Sequence, residues 1–191
     1  MDVTKNVMKP YILFLLVIFS IFACTPNAGK DEAINLSPSN YVIVLDLSDR
    51  LTFQKRQFEE DKIVVLDILS IFTDKVKKAY TDSGEDHSVL KDKLKVVILP
   101  KNNPSLDYGQ YEKKLSLDFE GSDENTIKYL LSRRFEDFYI ETLNKLYSDV
   151  MAPGINFPAS ANLWSFFNND LADELSTDPE LFNYLFVGSD G

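Results

Sequence analysis

Residues 42–45, Val-Ile-Val-Leu, constrain the fold of this chain more than any other feature. They are four consecutive apolar residues, three of them β-branched, and an aspartate follows them directly. A strand without alternating polar residues is covered on both faces, which is typical of a parallel sheet between layers of helices. A second run of this kind occupies residues 94–99 and stops at Pro100. We therefore expect two buried strands side by side.

Helical patterns separate the strands. Between residues 57 and 79, apolar side chains recur at steps of three and four, which predicts a helix with one buried stripe. Similar patterns predict a helix over 122–150, with a break, and another over 162–175 before a last strand at the end of the chain. Residues 114–119 alternate and predict an edge strand. The alternation favours an α/β fold of three layers, with a mostly parallel sheet flanked by helices.

Oxygen-bearing side chains follow two of these strands. Asp46 and Ser48 leave the first strand, and Asp190 follows the last one. In a parallel sheet all three lie at the carboxyl edge, where ligands bind. Such oxygens suit a hard cation such as Mg²⁺. They equally suit an ordinary loop, in which Asp and Ser accept backbone N–H bonds or cap the next helix. Both interpretations follow from the residues.

The segments "VIVLDLSDRL" and "YLFVGSDG" resemble the first and fourth strands of von Willebrand factor type A domains. That family carries a metal-ion-dependent adhesion site, and the resemblance implies that Asp46, Ser48 and Asp190 descend from its metal ligands. Arg50 and Ala161 depart from the pattern, because the family has a serine and a threonine at these places. A cation beside the site and a missing oxygen imply a degenerate metal site.

The same resemblance extends over residues 40–191. The segment "SANL", residues 160–163, looks like the middle loop of the family's metal site, with Ser160 or Asn162 as a substitute oxygen donor. Members of the family continue beyond the fourth strand with further strands and helices. The resemblance therefore implies a Rossmann-like domain that is incomplete at its carboxyl end.

The N-terminus predicts export. Lys5 and Lys9 precede an apolar run over residues 11–24. A membrane-spanning helix needs about 20 residues, so this run is short for one. Its length and flanks predict a signal peptide over residues 1–23, with a short membrane anchor as the alternative. The sequence Ile-Phe-Ala-Cys at 21–24 resembles the lipobox of bacterial lipoproteins. The resemblance implies that Cys24, the single cysteine, carries covalent lipid.

Residues 24–39 are rich in Pro, Asn, Ser and charge, which predicts a flexible tether. Lys30, Asp31 and Glu32 resemble the acidic export tags of surface lipoproteins, and they also suit an ordinary solvated linker. We expect the cell envelope, at the outer membrane or cell surface, with the lipid as membrane anchor. The net charge of −10 disfavours nucleic acid as a partner.

The function expected from these features is binding or adhesion, with another envelope or extracellular protein as partner, and not catalysis. One alternative is a structural scaffold without a ligand. Another is a phosphatase resembling the haloacid dehalogenase class, with Asp46 as nucleophile. A single histidine, His87, excludes triads and sites that need several histidines. Trp164, beside two phenylalanines, is expected to pack into the core.

Overall fold

Strand β1, Ser39–Asp46, lies in the middle of a four-stranded sheet. It pairs in parallel with β2, Lys93–Leu99, on one side and with β4, Phe182–Gly188, on the other. The two-residue strand β3, Leu117–Asp118, runs antiparallel to β2 at the edge, so that the strand order is β3-β2-β1-β4. The expected α/β class with a mostly parallel sheet is confirmed.

The structure is a computed structural model that describes residues 37–48, 55–100, 106–152 and 162–188. The predicted signal peptide, Cys24 and Asp190 lie outside these residues, as do Arg50, Ser160 and Ala161. The helices within them are α1, Lys55–Asp82; α2, Gly109–Leu115; α3, Glu124–Leu130; α4, Arg133–Val150; and a helical segment over 163–174, called α5, whose middle is a π-helix.

The predicted break in the long helix falls between α3 and α4. Leu131 ends α3, and the Ser132 hydroxyl then accepts a hydrogen bond from the Phe135 N–H group as the N-cap of α4. A serine cap satisfies one of the N–H groups that a helix start leaves unpaired. The chain therefore begins a new helix there instead of continuing the first one.

Helices pack against both faces of the sheet. The side chains of Tyr41, Ile43 and Leu45 belong to a large apolar core that includes residues of α1 and α4. The alternate residues Val42 and Val44 pack on the other face against α5. Burial on both faces explains why the run at 42–45 has no polar position.

The amino end of β1 is held by a buried polar group, the Lys75 cluster, made of Ser37, Ser39, Lys75 and Asp92. The Lys75 ammonium donates to Asp92 Oδ1 and to Ser39 Oγ, both at 2.7 Å, and to the Ser37 carbonyl. Asp92 Oδ1 also accepts from the Ser39 N–H and hydroxyl groups at 3.0 Å. All three donors of the ammonium are thus used, which compensates for the loss of its hydration.

Candidate functional site at the carboxyl ends of β1 and β4

The strand order reverses between β1 and β4. From β1, the chain adds β2 and then β3 on one side and later places β4 on the other. In open α/β sheets, ligands bind at this switch point, in the crevice outside the carboxyl ends of the strands. The order β3-β2-β1-β4 corresponds to the first four positions of the doubly wound order 3-2-1-4-5-6. The place to search for a site is therefore the end of β1 beside Gly188 of β4.

Asp46 and Ser48 lie at this place, as the sequence predicts. Asp46 is the last residue of β1 and is only 4% exposed. Its Oδ1 atom accepts a hydrogen bond of 3.0 Å from the Ser48 N–H group, and Ser48 is buried as well. This is the turn-closing contact that an ordinary Asp loop makes. One carboxylate oxygen of Asp46 is therefore already used within the turn.

Asp61 is a third oxygen donor at this edge, and it was not singled out from the sequence. It belongs to α1, and a Cβ atom added to Gly188 would lie 3.9 Å from Asp61 Oδ1 and 3.7 Å from the Val44 carbonyl oxygen. The Asp61 carboxylate therefore lies close to the backbone at the end of β4. The signal in the sequence is spacing, because Asp61 shares the buried stripe of Val65, Ile68 and Phe72 at steps of four and three.

Asn162 has a local role. Its Oδ1 atom accepts a hydrogen bond of 2.8 Å from the Ser165 N–H group and caps the start of α5. The other end of α5 lies at the amino edge of the sheet, because the Glu174 carbonyl accepts from Asn40 Nδ2 in the second residue of β1. The start of α5, with Asn162, is therefore directed toward the carboxyl edge. As an N-cap, Asn162 uses one lone pair of its amide oxygen for the helix start.

Trp164 corrects an expectation. The indole was predicted to pack into the core, but its side chain is 78% exposed, and the prediction is wrong. Phe166 is buried instead and packs with Val44 and Leu99, near the carboxyl ends of β1 and β2. Helical spacing places residues 164 and 166 on different faces of the first turn, so that only one of them can meet the sheet. The exposed indole belongs to the first turn of α5.

The described oxygen donors do not form a metal centre by themselves. No group of three or more His, Cys, Asp or Glu side chains within residues 37–48, 55–100, 106–152 and 162–188 could hold a metal ion. Mg²⁺ prefers octahedral oxygen ligands from one or two carboxylates and from water. Of the three predicted ligands, Asp46 and Ser48 belong to the described residues and Asp190 lies outside them. We derive no chemical step from a bound metal.

The chain matches no protein-family model, no curated protein and no solved structure. Across the part of the chain that the structure describes, we find no helix with the length and apolar character needed to cross a membrane.

Proposed function

We propose that this chain is a lipid-anchored binding protein of the bacterial cell envelope, at the outer membrane or cell surface. In this proposal its von Willebrand factor type A-like domain engages another envelope or extracellular protein with the carboxyl edge of the sheet. The observation that carries it is Trp164, which is 78% exposed in the first turn of α5, the helix end directed toward the edge where Asp46 ends β1. Large aromatic side chains are common anchors of protein partners.

The partner surface is tested by photo-crosslinking from position 164. Trp164→benzoylphenylalanine in the full chain should give covalent adducts with another protein in intact bacterial cells. The matched control is the same probe at Glu141, which is exposed on α4, away from α5. We expect adducts from position 164 and not from position 141. Equal labelling from both positions, or none from position 164, would contradict the proposal.

Metal dependence belongs to the same proposal and has its own test. If Asp46, Ser48 and Asp190 hold Mg²⁺, the metal stabilises the folded state, by about 2.7 kcal/mol at a hundredfold excess over Kd. For a domain of this size, that raises the melting temperature by about 5–10 °C relative to chelator. The measurement is thermal unfolding with Mg²⁺ or Mn²⁺ against chelator.

Asp46→Ala is the control for that experiment. The variant loses the turn bond to Ser48, so its own melting temperature is expected to fall; the relevant quantity is the difference between metal and chelator. We expect this difference to vanish. If the parent protein melts cooperatively at the same temperature with and without metal, the proposed metal site is wrong. It would favour the alternative of a scaffold without a ligand, which the buried and hydrogen-bonded carboxylate of Asp46 also fits.

A further inference from the structure

A cavity of about 310 Å³ lies between α1 and α4. The two helices contact each other near the start of α1, where the rings of Phe58 and Tyr147 lie 4.2 Å apart and Lys62 Nζ donates to Asn144 Oδ1 at 3.4 Å. The cavity lies farther along α1, beside the end of α3 and the first turn of α4. Its volume is in the range of cavities that hold small ligands.

Apolar and charged side chains together line this cavity. The apolar lining includes Leu69 and Phe135, which are 3% and 5% exposed, and the half-buried Leu131. Four exposed charged side chains also line it, and we call them the cavity charges: Asp74 and Lys77 of α1, and Arg133 and Glu136 of α4. A ligand that fits this lining is partly apolar and carries charge.

Helices α1 and α4 run in opposite directions along the sheet. Helix α1 runs from the carboxyl edge to the amino edge, because Asp61 lies close to Gly188 at the end of β4 and Lys75 contacts Ser39 at the start of β1. Helix α4 runs the other way, because residues near its end contact the first turns of α1. The first turn of α4 is therefore nearer the amino edge of the sheet than its later turns.

These directions give the cavity charges the same order on both walls. On α1 the carboxylate of Asp74 precedes the cation of Lys77, whereas on α4 the cation of Arg133 precedes the carboxylate of Glu136. Because the helices are antiparallel, the cation of each wall is the one nearer the amino edge. Cation and carboxylate are three residues apart on each helix, which is about 4.5 Å along the axis.

The cavity charges are not used within the described part of the chain. No side chain among the four forms an ion pair or a hydrogen bond with a described residue. Other charged side chains of the same three helices do pair along their own helix: Lys78 with Asp82, Lys128 with Glu124, and Lys145 with Asp149. Charges of both signs that have no partner, beside an apolar lining, suit a ligand that is itself a zwitterion.

We propose that this cavity binds a dipeptide that has apolar side chains and free termini. The carboxylate of the dipeptide lies toward Lys77 and Arg133, its ammonium group lies toward Asp74 and Glu136, and its side chains contact the apolar lining. In a dipeptide the two charged groups flank Cα atoms that are 3.8 Å apart, so their separation is about 4–6 Å. This matches the step between cation and carboxylate on each wall.

Spacing and volume favour a dipeptide over related zwitterions. In a single amino acid both charged groups are attached to one Cα atom, so they are too close together to reach both pairs of cavity charges. Each further residue of a peptide moves its termini apart by about 3.3–3.6 Å when extended. A zwitterionic phospholipid carries long acyl chains, which a cavity of about 310 Å³ does not hold.

Titration of the full chain in detergent with the dipeptide Leu-Leu, followed by NMR, tests the proposal. We expect a Kd of about 0.1–1 mM, which is usual for a ligand of this size. The matched ligand is N-acetyl-Leu-Leu-amide, which has the same side chains and no charge, and we expect it to bind at least about tenfold more weakly. If Leu-Leu does not bind, or if both ligands bind equally, the proposal is overturned.

The substitution Arg133→Gln tests the order of the charges. We expect it to raise the Kd of Leu-Leu about tenfold and to leave the Kd of Leu-Leu-amide unchanged, because that ligand has no carboxylate. The control is Arg134→Gln, since Arg134 is exposed on the same turn but does not line the cavity. Equal effects of the two substitutions, or equal effects on the two ligands, would overturn the proposal.

The mirror substitution is Asp74→Asn, on the opposite wall. It should weaken Leu-Leu by a similar factor and leave N-acetyl-Leu-Leu, which has no ammonium group, unchanged. A loss of binding by both ligands would contradict the assignment of the ammonium group to this wall. Trp164 lies on α5 and does not line the cavity, so Trp164→Ala should bind Leu-Leu like the parent chain. The test is therefore independent of the function proposed above.

Discussion

Lys75→Met is expected to lower the free energy of unfolding by about 3–5 kcal/mol, because it leaves the Asp92 carboxylate buried without its cation. The side chains of Lys75 and Asp92 are only 7% and 3% exposed. A loss of this size is a large part of the stability of a domain, which is about 5–15 kcal/mol. Urea unfolding of the variant, compared with the parent chain, measures it.

The same helix provides the control for this substitution. Lys78 pairs with Asp82 at 2.9 Å, but both side chains are close to half exposed. Lys78→Met should cost less than about 0.5 kcal/mol, as is usual for exposed pairs of this spacing. The double variant Lys75→Met and Asp92→Asn keeps an acceptor for the Ser39 N–H group, so it should be more stable than Lys75→Met alone. If Lys75→Met and Lys78→Met destabilise equally, the Lys75 cluster does not stabilise the fold.

Cys24→Ala is expected to release the protein from membranes. Each buried CH₂ group of an acyl chain contributes about 0.8 kcal/mol, and two or more chains give stable attachment. The variant cannot carry lipid at this position and should therefore move from the membrane fraction to the aqueous fraction. Labelling with radioactive palmitate and fractionation of the bacterial cells measure both effects.

Phe22→Ala is the matched variant for that prediction. Phe22 is bulkier than the lipobox usually has at this place, so a smaller residue should keep or improve lipidation. If the Cys24→Ala protein remains in membranes and retains its N-terminal apolar run, that run acts as a membrane anchor. The lipid proposal would then be wrong, and a short membrane anchor over residues 11–24 would replace it.

The sheet was predictable because its signals are local. The apolar runs at 42–45 and 94–99 predict β1 and β2. The apolar periodicity over 57–79 predicts the extent of α1 within a few residues. Asp46 and Ser48 were placed correctly for the same reason, because the end of a strand can be read from the strand itself. The strand predicted over 114–119 is wrong in extent, because Lys114 and Leu115 end α2 and only Leu117 and Asp118 form β3.

The misses depend on distant segments. The apolar stripe predicted for α1 does not indicate Lys75 as a buried residue, but partners 17 and 36 residues away in the sequence bury it. Trp164 was placed in the core because apolar residues usually lie there, but the first turn of α5 presents Phe166 to the sheet instead. In both cases the neighbour that decides burial is not visible in the local pattern.

The position of β4 also determines when β1 gains its second neighbour in the sheet. Asn40 of β1 and Asn183 of β4 are in contact although 143 residues separate them. At about 5–20 residues per second, β4 emerges roughly 7–30 s after β1 during synthesis. Throughout this interval, one side of an apolar strand has no partner, and pairing of this range is intrinsically slow. Among the described strands, the first to be made pairs with the last, so one side of β1 stays exposed to other chains until synthesis has passed Gly188.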